Sequence, residues 1–187
     1  MAADRFVFLD RDGTLVRDVG YGHRLEDYEL LPGVSEALLR LSSGGYRLAI
    51  VTNQSGIGRG LFTLDDFERF QARLEGDLAA AGVHVAATYL CPHHPDDGCA
   101  CRKPRPGLLH RARDELGADL GASWVIGDQV KDMELAAAAG CRGVLVGTGH
   151  GEAERAKLGV TPVAAVVADL PEAVSFVLAD RRGAHDA

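Results

Sequence analysis

The chain has 187 residues, with 20 Lys and Arg against 27 Asp and Glu and a formal net charge of −7. That length suits one domain, and 47% hydrophobic with 25% charged residues can build a buried core. The acidic balance argues against nucleic-acid binding, and no apolar run is long enough to predict a membrane span.

Predicted strands and helices alternate along the chain. Short apolar runs predict strands at residues 6–9, 46–51, 85–90, 124–126, 143–146 and, more weakly, 163–167. Caps and helical periodicity predict helices at about residues 32–42, 64–81, 106–117 and 133–139, and from Pro171 onward. The alternation predicts an α/β fold, a Rossmann-like three-layer sandwich with a central parallel sheet. We expect a single domain over residues 1–187 with a flexible tail at about residues 180–187.

Polar residues follow three of the predicted strands. Asp10, Thr52 and Asp128 each come directly after a strand, and the carboxyl ends of parallel strands would bring them to one edge of the sheet. Asp10 and Asp12 are close enough to repel unless a cation or a shared proton intervenes, and Mg²⁺ prefers such oxygen ligands. Taken alone, the pair could equally be two solvated carboxylates in a turn.

Further residues complete a set of groups suited to phosphoryl transfer. Asn53 offers an amide, Lys103 an ammonium and Asp132 another carboxylate. One carboxylate of the Asp10 and Asp12 pair could attack phosphorus while the other protonates the leaving oxygen, with a metal and Lys103 neutralising the phosphoryl oxygens.

Three of the four cysteines lie within eleven residues. Cys91-x-His93 and Cys99-x-Cys101 offer four ligands of the types that bind tetrahedral Zn²⁺, although reduced thiols on a surface loop are the alternative. His94 competes with His93 for the fourth position. A site with four protein ligands has no open position, so we expect it to be structural.

Several motifs resemble the haloacid dehalogenase (HAD) superfamily of phosphatases. They are Asp10-Arg11-Asp12-Gly13-Thr14, Thr52-Asn53-Gln54, Arg102-Lys103-Pro104 and Gly127-Asp128 with Asp132. Gly20-Tyr21, Ser55-Gly56-Ile57 and the 91–101 segment more narrowly resemble the heptose bisphosphate phosphatases of that superfamily. The resemblance extends from about Phe6 to Val146.

The resemblance implies a role for each of the matching residues. Asp10 becomes the nucleophile that forms an aspartyl phosphate, and Asp12 the general acid and later the base. Mg²⁺ is held by Asp10, the backbone carbonyl of Asp12 and Asp128, while Thr52 and Lys103 hold the transferred phosphoryl. Zn²⁺ is held by Cys91, His93, Cys99 and Cys101. The substrate pocket is formed by Asp18, Val19, Gly20, Tyr21, Thr52, Asn53, Gln54, Ser55, Arg102 and Lys103.

The implied activity is the Mg²⁺-dependent removal of the C7 phosphate from D-glycero-D-manno-heptose 1,7-bisphosphate, in nucleotide-activated heptose synthesis for lipopolysaccharide or other glycans. The alternatives are histidinol-phosphate phosphatase in histidine biosynthesis and a zinc-loop module that only binds a partner.

Only about 20 residues separate Asp12 from the first helix, so we expect no large cap domain. Gln129 occupies a position where the family can have a lysine, and the nearest lysine in this sequence is Lys131. His150 is expected on a solvated loop. We expect a cytoplasmic monomer acting on a small sugar phosphate, without nucleic-acid or membrane partners.

Overall fold

Six parallel strands form the sheet at the centre of the molecule. The computed structural model describes residues 4–183 and arranges the strands in the order β3-β2-β1-β4-β5-β6. Every pairing between neighbouring strands is parallel. The strands are β1 (Phe6–Leu9), β2 (Arg47–Asn53), β3 (Val85–Cys91), β4 (Trp124–Gly127), β5 (Arg142–Val146) and β6 (Ala165–Val167). The α/β fold expected from the sequence is confirmed.

Helices connect these strands. The α-helices of the described residues are α1 (Val34–Ser43), α2 (Ser55–Gly58), α3 (Leu64–Ala80), α4 (Gly107–Leu116), α5 (Val130–Ala139), α6 (Gly151–Arg155) and α7 (Leu170–Gly183). Three 3₁₀ turns occur at Leu25–Asp27, Pro95–Asp97 and Leu120–Ala122. The predicted helices are all present, whereas α2, α6 and the 3₁₀ turns were not predicted, because segments of three to five residues are too short to show a helical period.

The core lies in two layers, one on each face of the sheet. Successive side chains of a strand point to opposite faces, so Val7 and Leu9 pack with α1, α3 and α7. Phe6 and Phe8 pack with α4 and α5 on the other face. A strand that is buried on both faces does not alternate apolar with polar residues, which explains the continuous apolar run at residues 6–9.

The long helix α3 begins where the sequence predicts. The Thr63 hydroxyl accepts from the Asp66 backbone N–H, and the Asp66 carboxylate accepts from the Thr63 backbone N–H, forming a capping box. Helix α5 begins earlier than the predicted residue 133, because the Asp132 carboxylate accepts from the Gln129 backbone N–H and starts the helix at Val130.

The segment between β1 and α1 folds back onto the sheet edge without forming a second domain in the described residues. Gly13 N–H donates to the Val16 carbonyl oxygen, and Val16 pairs with Leu30 in an isolated antiparallel bridge. None of the helices within residues 4–183 is long and apolar enough to cross a membrane. Helix α7 continues to Gly183, and the rest of the predicted flexible tail, residues 184–187, lies outside the described residues.

Candidate active site

The buried ammonium of Lys103 links two carboxylates at the carboxyl edge of the sheet. Its Nζ lies 2.8 Å from Asp10 Oδ1 and 2.7 Å from Asp132 Oδ1, and donates to the Val51 carbonyl oxygen at 3.0 Å. Burial opposes the charged ammonium, but the negative charges of Asp10 and Asp132 outweigh it and raise the pKa of Lys103 above its ordinary value. Lys103 is therefore cationic beside Asp10.

Local structure holds Lys103 in this position. The Asn53 side chain donates to the Lys103 carbonyl oxygen at 3.2 Å and accepts from the Lys103 N–H at 3.1 Å. The Asp132 carboxylate can lie close to the backbone of residue 127 because that residue is glycine. A Cβ there would lie 2.4 Å from Asp132 Oδ2. Strand β2 and the start of α5 thus converge on the same ammonium.

Asp128 presents a buried carboxylate oxygen without a partner. Its Oδ2 accepts from the His150 backbone N–H at 2.8 Å, whereas its Oδ1 has no hydrogen-bond partner in the described residues. Burial and the nearby charge of Asp10 raise the pKa of Asp128 to about 8. Gly13 and Gly149 enclose this carboxylate, since a Cβ on either would lie 2.3 Å from Asp128 Oδ2.

Asp12 is held by a buried guanidinium and an amide. Arg11 donates from Nε and Nη2 to the two carboxylate oxygens at 3.1 and 3.0 Å, and Gln54 donates to Oδ2 at 2.8 Å. The Arg11 guanidinium lies 4.6 Å from the Phe70 ring centroid and 5.3 Å from that of Phe67. Burial raises the pKa of Asp12 despite the opposing charge of Arg11, which favours a carboxyl able to donate a proton.

A cavity of about 270 Å³ opens above these groups. Its lining contains three carboxylates, two lysines, a histidine and several neutral polar groups, as expected for a charged ligand. The lining residues are Asp10, Asp12, Asp18, Gly20, Tyr21, Asn53, Gln54, Ser55, Lys103, Gln129, Lys131 and His150.

Three residues of the expected substrate pocket, Val19, Thr52 and Arg102, are not among those lining residues. Thr52 is fully buried, and its hydroxyl accepts from Gln54 Nε2 at 2.8 Å. The Val19 side chain is exposed, and the buried Nη1 of Arg102 has no hydrogen-bond partner in the described residues.

His150 lies in an exposed turn, as expected, but the acidic residues after it form α6 instead of a loop. His150 precedes α6, its backbone N–H donates to Asp128, and its ring Nε2 lies 3.0 Å from Asp18 Oδ2. Residue 150 lies just beyond the carboxyl end of β5, which is the same sheet edge as Asp10 and Asp128. The position of a predicted strand end could therefore have identified it.

The four expected zinc-binding side chains converge. Cys91 Sγ lies 3.6 Å from both His93 Nδ1 and Cys99 Sγ, and Cys101 Sγ lies 3.2 Å from His93 Nδ1 and 3.5 Å from Cys99 Sγ. A tetrahedral zinc with Zn–S bonds of 2.3 Å separates its sulfurs by about 3.8 Å, so the cluster is compatible with Zn²⁺. His94 lies outside the cluster, and its ring accepts from the Asp96 backbone N–H.

The zinc-loop segment, residues 91–101, is connected directly to the cavity wall. The Gln54 N–H donates to the Cys91 carbonyl oxygen at 2.8 Å, and the Gly58 N–H donates to the Pro92 carbonyl oxygen at 2.8 Å. At its other end the segment runs through Arg102 into Lys103. A metal in the cluster would thus fix both the substrate-facing segment 54–58 and the lysine.

The acidic cluster fits a hard divalent cation. Three carboxylate oxygens lie within 4.8 Å of one another, one each from Asp10, Asp128 and Asp132. Asp132 Oδ2 accepts from the Gln129 N–H, and its Oδ1 accepts no hydrogen bond in the described residues but lies 2.7 Å from the Lys103 ammonium. The unpartnered Oδ1 of Asp128 is the atom that a cation would satisfy, with Asp10 beside it, and carboxylate oxygens are the ligands that Mg²⁺ prefers.

Comparisons with known proteins indicate the family of this chain. The HAD-hydrolase-like family model matches residues 100–173. The D-glycero-β-D-manno-heptose-1,7-bisphosphate 7-phosphatase of Photorhabdus laumondii is 43% identical over 91% of this chain and 95% of that protein. The enzyme of the same name from Escherichia coli K12 is 42% identical over 90% of this chain and 92% of that protein.

A solved structure shows the same likeness. The D,D-heptose 1,7-bisphosphate phosphatase from B. bronchiseptica, complexed with magnesium and phosphate, superimposes with a TM-score of 0.87 at 35% identity, covering 94% of this chain and 99% of that chain. The parallel sheet, the carboxylates at its edge and these matches define the class as HAD-like phosphatases. Within that class, the chain belongs to the D-glycero-β-D-manno-heptose-1,7-bisphosphate 7-phosphatase family.

Proposed function

We propose that the protein removes the C7 phosphate from D-glycero-β-D-manno-heptose 1,7-bisphosphate in a Mg²⁺-dependent reaction. The observation that carries this proposal is the Asp10 carboxylate, held against the Lys103 ammonium at 2.8 Å and facing the cavity beside Asp128. The names of the relatives support the substrate and the β anomer, and favour heptose bisphosphate over histidinol phosphate.

Asp10 is the proposed nucleophile. Its Oδ1 accepts from the Arg11 N–H and contacts Lys103, so the carboxylate is fixed while Oδ2 remains for attack on the C7 phosphorus. An O–P bond forms to Asp10 as the bond from phosphorus to the C7 oxygen breaks. Lys103 neutralises charge on the phosphoryl oxygens, and Thr52 is the second proposed contact with them.

Asp12 is the proposed acid and base. A sugar alkoxide is a poor leaving group, so the Asp12 carboxyl transfers its proton to the C7 oxygen as the bond breaks. The resulting carboxylate then takes a proton from the water that attacks the aspartyl phosphate, which releases phosphate and regenerates Asp10. Arg11 and Gln54 keep Asp12 aimed at the cavity in both steps.

Two metal ions complete the proposal. Asp10, Asp128 and the backbone carbonyl of Asp12 would hold Mg²⁺, which supplies charge neutralisation at the phosphoryl group when bound. The Cys91, His93, Cys99 and Cys101 cluster would hold structural Zn²⁺ that fixes the approach of Lys103. The sugar would contact the remaining expected pocket residues, which are Asp18, Val19, Gly20, Tyr21, Asn53, Gln54, Ser55 and Arg102.

We further propose that the chain acts as a single-domain cytoplasmic monomer in nucleotide-activated heptose synthesis. The one continuous sheet of the described residues supports the single domain.

Phosphorus NMR of the reaction product tests the function. The expected result is loss of the C7 phosphate signal with retention of the C1 phosphate. Asp10→Asn, which retains the shape of the side chain, is expected to keep the circular dichroism spectrum of the folded protein and to release no phosphate. Loss of the C1 phosphate, or normal turnover by Asp10→Asn, would contradict the proposal.

A further inference from the structure

The loop formed by residues 18–21 lines one side of the cavity but makes few hydrogen bonds to the rest of the protein. Three of its four residues line the cavity, and the side chains of Val19 and Tyr21 are exposed. In the described part of the chain, the backbone of this loop hydrogen-bonds only to positions within residues 18–23. The position of the loop therefore depends on contacts made by its side chains.

The Asp18 carboxylate makes such a contact. Its Oδ1 accepts from the Gly20 backbone N–H at 2.7 Å, which fixes the turn of the loop around the carboxylate. Its Oδ2 lies 3.0 Å from His150 Nε2, and an imidazole with a hydrogen on Nε2 can donate there whether the ring is neutral or protonated. One carboxylate thus connects the loop to His150.

The backbone of His150 is fixed at the side of the cavity where the proposed magnesium ligands lie. Its N–H donates to Asp128 Oδ2 at 2.8 Å, and the nearby Thr148 hydroxyl donates to the Gly13 carbonyl oxygen at 2.6 Å. Gly149 packs so closely that a Cβ on it would lie 2.6 Å from Gly13 Cα. The backbone of residue 150 therefore belongs to the framework around Asp128, while its ring extends to the substrate-facing loop.

We infer that His150 is a positioning residue that fastens the loop of residues 18–21 to the magnesium side of the site through Asp18. The inference rests on the proposed function and goes beyond it, because none of the sequence motifs includes His150. The His150 side chain is 59% exposed, so the contact adds little to the free energy of unfolding. Its effect is on the position of the loop when the sugar binds, and is therefore expected in KM.

The test compares three variants with wild type. His150→Ala removes the ring and keeps the backbone N–H, whereas His150→Gln keeps a side-chain N–H donor. The control His84→Ala removes an exposed ring that does not line the cavity. kcat and KM are measured for heptose 1,7-bisphosphate and for acetyl phosphate, which carries a transferable phosphoryl group but no sugar. Tm and the Mg²⁺ concentration for half-maximal activity are measured for each variant.

His150→Ala is expected to raise KM for the bisphosphate about threefold to tenfold, the range that one hydrogen bond supplies, with kcat nearly unchanged. His150→Gln should recover most of this loss, and His84→Ala should match wild type. Tm, the Mg²⁺ requirement and kcat/KM for acetyl phosphate should be nearly the same in all of them, because the backbone contact with Asp128 remains.

A double variant shows whether His150 acts through Asp18. KM for the bisphosphate should be no higher in His150→Ala combined with Asp18→Ala than in Asp18→Ala alone. Independent effects of the two substitutions would mean that His150 contacts the substrate itself, and would overturn the inference. An unchanged KM in His150→Ala, or an equal loss with acetyl phosphate, would also overturn it and leave the proposed function intact. Wild-type protein that hydrolyses acetyl phosphate but not the bisphosphate would instead refute the proposed function, and this inference with it.

Discussion

Lys103 and Asp132 form an ion pair that is almost completely removed from water. Nζ and Oδ1 are 2.7 Å apart, and the two side chains are 1% and 0% exposed. Asp132 lies far from Lys103 in sequence, at the start of α5, so this pair connects the zinc-loop region to the opposite half of the sheet. It also supports the ammonium that contacts Asp10.

Asp132→Asn is expected to destabilise the protein, because it leaves a buried ammonium with one fewer negative partner. Breaking such a pair costs about 3 kcal/mol in the free energy of unfolding. Urea denaturation measures the change. The control is Asp114→Asn, which removes an exposed partner of Arg113 and should leave the denaturation midpoint unchanged. Equal midpoints for the two variants would show that the buried pair contributes nothing.

Arg11→Met is expected to alter the pH dependence of catalysis. The positive charge of Arg11 opposes the burial that raises the pKa of Asp12, so its removal raises that pKa further. If Asp12 acts as the acid, activity falls as pH rises through its pKa, and the alkaline limb of kcat/KM should move to higher pH. The limb should stay in place for Arg69→Met, which removes an exposed guanidinium. An unchanged limb, or a shift to lower pH, in Arg11→Met would contradict the role of Asp12.

The two adjacent histidines give a matched test of the zinc cluster. His93→Ala removes a ring that lies among the sulfurs, whereas His94→Ala removes a ring outside them. Elemental analysis should find about one zinc per chain in wild type and His94→Ala, and a large loss in His93→Ala together with lower kcat. Retention of zinc in His93→Ala would show that a residue other than His93 is the fourth ligand.

Stabilisation by Mg²⁺ should depend on pH. In the Mg²⁺-free protein the pKa of Asp128 is raised to about 8 from its ordinary value of 3.8. Protonation therefore favours the folded state fully below the ordinary value, and this contribution is lost as pH rises through about 8. A bound cation replaces the proton, so adding Mg²⁺ to zinc-loaded protein should raise Tm more at about pH 9 than at about pH 6.

The control for the magnesium effect is Asp128→Asn, which has no titrating carboxyl at this position and should show only a small Tm response to Mg²⁺ at either pH. A wild-type response that is larger at the lower pH would contradict the assignment of Asp128 as a ligand.

The position of the site at the carboxyl edge of the sheet followed from sequence, because it depends on local patterns. The apolar run at Phe6–Leu9 and the glycine after Asp12 predicted a buried strand and a turn, and parallel strands bring their carboxyl ends together. The same rule brought Asp10 and Asp128 to one edge, where the structure has them.

The pairing of Lys103 with Asp132 was not predictable in the same way. Whether a lysine contacts one carboxylate or two depends on the space left by Gly127 and on the path of the zinc loop, neither of which has a periodic signal. The burial of Arg11 between Phe67 and Phe70 was missed for a similar reason, because an arginine beside two aspartates suggests exposure.

The central claim is the identity of the substrate. The most direct test measures kcat/KM for phosphate release, with Mg²⁺ present, from both anomers of heptose 1,7-bisphosphate and from histidinol phosphate. The account predicts the highest value for the β anomer, at least about tenfold above histidinol phosphate, since buried polar groups reject a ligand that leaves them unpaired. A preference for histidinol phosphate would contradict it.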